Sequence, residues 1–347
     1  MKITYVLFNM LLVLVLCSCK KEIKDRQDTS VQDIYVSGYQ NKGTKAIATL
    51  WKNGIAAELT DGTKNAYANA VFVLNEDVYV VGNDGSKPIM WKNGLSVDLP
   101  LIAGNVSGAA SSVYVTGSDI FIAGYQNDGN VNQAVLWKNG ETVQLVNYYL
   151  VQDAKANAVY AVGNDTFVAG YQRYKTPNRD GAVYWKNRSP VALMPPGNYS
   201  VANSIFVQDN DVFVVGHEVS DGRTEAKLWK NNNAFTPLAD GTTKISSAES
   251  IYISGTNIYI AGYQVNPVTN KYEAKLWENG FETILPLSDG TDFSWARAVY
   301  ASGVDTYVAG YQNKNGKRIA TVWKNKLAIT TLTDGTNEAE ANGIFVK

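Results

Sequence analysis

Residues 304–325 read V-D-T-Y-V-A-G-Y-Q-N-K-N-G-K-R-I-A-T-V-W-K-N: an apolar run with small and polar residues interleaved, a polar turn, and a second such run ending in Trp. Variants of this pattern recur along the chain. Aligned on the Trp of A-x-x-W-K-N, they fall at Trp51, Trp91, Trp137, Trp185, Trp229, Trp277 and Trp323, a period of about 45 residues, in the range of propeller blades. Before each Trp stands a second motif, as in Asp33-Ile-Tyr-Val-Ser-Gly-Tyr and Asp119-Ile-Phe-Ile-Ala-Gly-Tyr. Before that comes a third, as in Ala68-Asn-Ala-Val-Phe and Ala248-Glu-Ser-Ile-Tyr. All are short, β-branched, aromatic and bounded by turn residues, so they predict strands. A fourth strand is expected after each W-K-N turn, over Ala57 to Leu59, Val143 to Leu145 and Thr283 to Leu287. No helical period competes after the first twenty residues.

A four-stranded meander leaves two apolar faces that it cannot bury alone, so seven copies stack radially and close a ring. The expected fold is all-β: a seven-bladed β-propeller spanning residues 31–347. Its ends support closure. The chain enters at Asp33 with a second strand lacking a first, and ends at Ala341-Asn-Gly-Ile-Phe-Val, a first strand with nothing after it. Pairing the two completes one blade and removes two open sheet edges.

The amino end is different. Residues 1–18 carry a basic start, an apolar run to Leu16 and a small-residue ending, the make-up of a secretory signal and too short for a comfortable span. Leu16-Cys17-Ser18-Cys19 resembles the lipobox of bacterial lipoproteins, which implies cleavage before Cys19 and its acylation. Cys17 then leaves with the signal, no disulfide is possible, and the domain stands on its core. Residues 19–30 are polar and charged and are read as a flexible tether. The expectation is a bacterial cell-envelope protein, lipid-anchored at the outer membrane, with either face of that membrane open.

Charge and composition narrow the chemistry. Lys plus Arg number 31 against 32 Asp plus Glu, which argues against a nucleic-acid surface. With one His in the chain, a Ser-His-Asp triad or His-ligated metal would rest on His217 alone. The Asp-Gly-Thr turns at Asp61, Asp240, Asp289 and Asp334 lack the spaced oxygen ligands of a calcium loop. Neither a cofactor nor a metal is expected.

The recurring Trp is read as packing between blades rather than sugar stacking, because it repeats in every unit and its burial contributes on the order of 4 kcal/mol. Asn-Gly after W-K suits a type I′ hairpin, and the Asp opening each second strand shapes a turn. Strand alternation puts these tight turns on one face, the lower, and the long loops on the other, where recognition usually resides. There stands Gly-Tyr-Gln, whose Tyr is expected to pack over the neighbouring blade. Blades 2 and 5 break it with Asn83-Asp84 and His217-Glu218.

Each first strand opens with an Ala, read as crowding near the ring axis, and the next residue varies: Asn69, Ser111, Asn157, Asn203, Glu249, Arg297 and Asn342. These are expected to form a polar ring at the channel mouth, with Glu249 and Arg297 paired. Tyr67 and Trp295, the one Trp outside the repeat position, precede the Ala in blades 2 and 7. An aromatic with polar groups at a concave opening is the usual make-up of a small-ligand or glycan site; a water-filled structural channel is the alternative. The ligand-binding candidates are thus Tyr67, Asn69, Asn157, Asn203, Glu249, Trp295, Arg297 and His217.

With A-x-L-W-K-N-G, then L-x-D-G-T, a small-aliphatic strand and V-x-G-Y, the chain resembles bacterial extracellular repeats of the HAF type. It is also similar to bacterial β-propeller repeats reading G-N-V-Y-V-T-G-Y. The resemblance covers nearly all of the chain after the tether and implies an exported propeller without implying a substrate or catalytic positions. The expected function is a non-enzymatic binding scaffold for a glycan, peptide or envelope protein. The alternative is a polysaccharide-active hydrolase or lyase using carboxylates such as Glu249 and Glu218, which would need a pair at a defined separation.

Overall fold

The computed structural model describes residues 32–146, 151–176, 180–193, 199–238, 244–288 and 291–347. The signal, Cys19, the tether and the turns at Asp240 and Asp289-Gly290 lie outside the described residues. Asp33–Lys347 form one compact unit, a seven-bladed β-propeller of four-stranded antiparallel sheets.

Blade 1 is assembled from both ends of this unit. Strands β1 (Ile34–Lys42), β2 (Lys45–Lys52) and β3 (Ile55–Glu58) follow in sequence, and β28 (Ala339–Val346) pairs with β1 as the innermost strand. The register runs from Ile34↔Val346 to Gln40↔Ala339. Blades 2 to 7 follow in order, beginning at Ala66, Ser107, Val151, Tyr199, Ser246 and Phe293. The outermost strands start directly after the turn, at Ile55, Glu141 and Phe281, and end at Glu58, Gln144 and Ile284. They are therefore displaced towards the turn from the spans expected. The first pair after a type I′ turn is held by the hairpin itself, so pairing begins at once.

The seven repeat-position Trp side chains are all buried and sit in the clusters between consecutive blades. Their turns have the expected geometry, as at Asn53 (φ 51°) and Gly54 (φ 81°). The Asp opening each second strand fixes this turn. Asp77 Oδ1 accepts from Asn93 Nδ2 at 2.8 Å, Asp77 Oδ2 pairs with Lys92 at 2.8 Å, and Asn93 Oδ1 accepts from the Val78 N–H at 2.8 Å. Equivalent bonds recur at Asp33, Asp119, Asp165, Asp211 and Asp305. These carboxylates, held below the usual range first by a hydrogen bond from the Lys or Asn of that turn, tie the second strand to the third-to-fourth turn. The tight turns share the lower face, as predicted.

The innermost strands contain a feature the sequence did not announce. In every blade the residue after the Ala is the extra residue of a β-bulge: the ladder steps from Ala68↔Gly82 to Ala70↔Val81, leaving Asn69 unpaired, and likewise in the other six. A bulge bends the strand and re-aims one side chain. The Ala lies in the cluster against the preceding blade rather than at the axis, and the bulged residue turns to the channel wall. Three residues further down stands an aromatic, from Phe72 to Phe345, and these seven rings touch their neighbours all the way round, with centroids 4.4 to 5.5 Å apart. The channel thus narrows to an aromatic collar below the ring of bulged residues.

Candidate functional site

The bulged residues do not form one uniform ring. Asn69 Nδ2 donates to Ala110 O of the next blade at 2.8 Å, Asn157 Nδ2 to Ala202 O at 2.9 Å, Asn203 Nδ2 to Ala248 O at 2.9 Å and Asn342 Nδ2 to Ala68 O at 3.2 Å. Each Asn is a stitch between neighbouring blades. Asn69 and Asn157 are committed to this role and lie apart from the charged residues.

The stitch is absent at blade 3, where Ser111 replaces Asn, and at blades 6 and 7, where Glu249 and Arg297 bring charge instead. Arg297 Nη1 lies 4.0 Å from Glu249 Oε2, the pairing expected, and Nη2 lies 3.4 Å from Glu340 Oε2. Glu340, at the residue before the Ala in β28, also accepts from Arg318 and, at 3.1 Å, from the Tyr39 hydroxyl. Arg318 Nε in turn meets Glu338 at 3.3 Å. At the other end, Ser247 Oγ is shared by His217 Nδ1 at 3.2 Å and Asn203 Nδ2 at 3.3 Å and bonds the Glu249 carboxyl. A continuous polar chain therefore runs along the upper mouth from His217 in blade 5 through Ser247, Glu249, Arg297 and Glu340 to Tyr39 in blade 1.

Aromatic rings back this chain. Trp295 lies 3.6 Å from Tyr263, 5.0 Å from Tyr272 and 6.2 Å from Tyr311 between centroids, and the Arg297 guanidinium sits 4.9 Å from the Trp295 ring. Tyr67 packs edge-on against Tyr39 at 5.1 Å. As expected for Gly-Tyr-Gln, Tyr39 and Tyr263 each lie over the next blade. Trp295 is partly buried, packed against Tyr263 and Arg297. Among the described residues neither its Nε1 nor Arg297 Nε has a hydrogen-bond partner.

Burial sets the protonation of the site. Desolvation raises the Glu249 carboxyl above its usual range, against the pull of Arg297 and Ser247. It lowers the His217 imidazole, favouring the neutral ring, and pushes Tyr311 up to about 12. His217 and Ser247 do not make a nucleophilic pair: Ser247 is 1 % exposed, and it links His217 to Glu249 instead of standing at a reacting position. The second departure, Glu218, lies 3.4 Å from Lys227. In blades 1 to 4 the position of Lys227 holds Thr49, Ile89, Val135 and Val183, so this is a compensated ion pair within the blade and no part of the mouth. Two of the kept Gln clamp the connection between blades: Gln126 donates to Pro100 O at 2.9 Å and accepts from the Ile102 N–H at 2.7 Å, and Gln312 donates to Pro286 O at 3.3 Å and accepts from the Ser288 N–H at 2.8 Å. Among the described residues no group of three His, Cys, Asp or Glu is placed to hold a metal.

The sequence reading missed Glu340, Ser247 and Arg318. Glu340 and Ser247 occupy the repeat position already marked by Tyr67 and Trp295, so comparing that column across all seven units would have found them. Arg318 had no such signal, since its counterparts, among them Ala46, Asn132, Thr224 and Tyr272, share no chemistry.

No protein-family model matches the chain, and no curated protein sequence does. Solved structures align with parts of the chain. TolB from Acinetobacter baumannii aligns over 90 % of this chain and 67 % of its own, with TM-score 0.47 and 10 % identity. Porphyromonas gingivalis dipeptidyl peptidase 4 aligns over 87 % of this chain with TM-score 0.44 and 11 % identity. The β-propeller domain of the Trilobed protease from Pyrococcus furiosus aligns over 73 % of this chain and 78 % of its own, with TM-score 0.42 and 12 % identity. The chain spans 51 % of the dipeptidyl peptidase. At these identities the likeness is one of propeller architecture alone.

Proposed function

We propose that this chain is an envelope lipoprotein, anchored through Cys19, whose propeller is a non-enzymatic scaffold binding a glycan, peptide or protein at the upper mouth of its channel. The observation that carries the reading is the break in the Asn stitching at Glu249 and Arg297. In blades 1, 2, 4 and 5 the bulged side chain is an Asn used up in holding blades together, and blade 3 has the small neutral Ser111 there. At blades 6 and 7 the fold gives up two such bonds and places a carboxyl with a raised pKa and a guanidinium on the channel wall. Buried charge is costly for stability, and groups perturbed in this way concentrate at functional sites.

The ligand class follows from the lining. Adjacent donors and acceptors on Arg297, Glu249, His217 and the tyrosines suit a polar molecule with several hydroxyl, amide or carboxyl groups. Glycan and peptide arrays probed with the propeller test this directly. Arg297→Ala and Glu249→Gln are each expected to weaken a hit at least about tenfold, the equivalent of about 1.4 kcal/mol. Hits that survive both substitutions would remove the site.

One observation bears on polysaccharide cleavage: Glu249 and Glu340 share a single guanidinium. Glycoside hydrolysis needs two carboxyls facing each other across the bond to be cut. Here Arg297 occupies the space between them, an arrangement that favours binding over cleavage. Release of reducing ends from a bound polysaccharide, lost in Glu249→Gln, would reverse that preference.

A further inference from the structure

Exposed apolar side chains on the lower face are unevenly spread round the ring. Phe281 (81 % exposed), Leu327 (69 %), Ile55 (76 %) and Leu95 (75 %) each begin the outermost strand of a blade, directly after its type I′ turn. Their blades are 6, 7, 1 and 2, consecutive because β28 closes the ring. The same position holds Glu141, Ser189 and Asn233 in blades 3, 4 and 5. Val304, 97 % exposed in the lower turn of blade 7, falls within the same arc. Scattered exposed apolar residues are ordinary; four at one repeat position in four adjoining blades are a surface.

Charge and connectivity indicate what covers it. The lysines of the arc are matched by acids: Lys52 by Asp33, Lys92 by Asp77, Lys324 by Asp305, Lys326 by Glu278 and Lys347 by Glu76. The arc is apolar without a net field. Asp33, where the compact unit begins, stands on the lower face of blade 1, in the middle of the arc, bonded through its backbone to Lys347. A tether from Cys19 to this point reaches at most about 50 Å when fully extended. A membrane holding Cys19 is therefore attached to the face that carries the apolar residues.

We infer that this arc rests on the lipid surface, with its side chains at the boundary between headgroups and acyl chains. The lower face is then turned to the membrane and the channel mouth away from it. This inference rests on the proposed membrane attachment of the amino end, and its test supplies an attachment of its own.

The ring closes on its own cores within residues 33–347, so residues 20–347, which contain no cysteine, are a suitable sample. An amino-terminal hexahistidine tag would hold them on phosphatidylethanolamine and phosphatidylglycerol vesicles containing a nickel-chelating lipid. An environment-sensitive fluorophore is placed on Leu327→Cys in the arc, or on Val268→Cys, exposed in an upper-face loop. The label at 327 is expected to shift to the blue and brighten by about twofold on vesicles, equally in low salt and at about 0.5 M salt, where surface charges are screened. The label at 268 is expected to stay unchanged. Ile55→Ser, Leu95→Ser and Phe281→Ser together, in a protein with unaltered melting, are expected to abolish the shift at 327.

No shift at 327, an equal shift at 268, or a shift that grows with protein concentration in the absence of vesicles would overturn the inference, the last by showing that a second copy covers the arc. Mass spectrometry of the mature protein tests the anchor separately. An unacylated Cys19 would remove the lipoprotein reading and leave the vesicle result standing.

Discussion

At Gly82 an added methyl would lie 1.9 Å from Tyr67 O, and at Gly310 2.0 Å from Trp295 O. Both glycines oppose the bulge, where the bent inner strand brings a carbonyl onto the second strand. Gly82→Ala is expected to cost several kcal/mol, because the obstacle is backbone and cannot step aside; chemical denaturation measures it. The opposite sign is expected at Arg188, held at φ 74° in the second position of its turn. Arg188→Gly relieves left-handed strain of about 1 to 2 kcal/mol at an entropic cost of about 0.5 to 1 kcal/mol, a net gain of up to about 1.5 kcal/mol. Glu249 gives a pH signature. Its raised folded pKa means the folded state holds a proton the unfolded chain has released, so its ionisation lowers stability as pH rises from the unfolded pKa through the folded one. Glu249→Gln should therefore melt higher than the parent at neutral pH, with the difference closing near pH 4, about the unfolded carboxyl value. An unchanged melting curve across that range would show that the carboxyl is not desolvated. The Ala, the Gly and the variable residue between blades were all visible in the sequence. Their common cause was not, because a bulge leaves no residue type of its own and is defined only by the register of two strands.

Besides the ladders, two kinds of side-chain device hold the blades, and they differ in how openly the chain displays them. The lower-face set of Asp, Lys and Asn repeats at fixed spacing, so its role in shaping turns could be read directly; what needed coordinates was that the Asp of one turn bonds the Asn of another. Blade 6 shows why spacing misleads on charge: Asn257 and Glu278 replace Asp and Lys, and Glu278 turns instead to Lys326 of blade 7. The inter-blade stitches bridge 41 to 45 residues or, at closure, 274, and no local pattern signals them. Removing one by Asn69→Ala leaves Ala110 O without its side-chain donor and is expected to cost about 1 kcal/mol in denaturant unfolding. The same logic makes β28 the critical strand. Deleting Ala341 to Lys347 opens the edge of β1 and the core it shares with blade 7, so cooperative thermal unfolding should be lost; a deletion that melts like the parent would contradict closure by this strand.

For the whole molecule, closure and the candidate site are one event. Glu340 lies on β28 and Tyr39 on β1, while Arg297 and Arg318 come from blade 7 and Glu249 from blade 6. Only when the carboxyl end reaches the amino-terminal blade do the two arginines meet Glu340, the carboxylate they share. Seven copies of one sheet could be counted from the sequence, which made the ring legible, and the departures from the repeat at Glu249, Arg297 and Trp295 pointed to the sector in which the polar chain runs. The centre of that sector stayed hidden because its partners lie in different blades at unrelated spacings. Hydrogen–deuterium exchange with and without an array-selected ligand tests the central claim most directly. Slowed exchange confined to residues 246–249, 294–297 and 338–341 at the upper mouth is the predicted result. Protection at the lower-face turns, with none at these three segments, would contradict it.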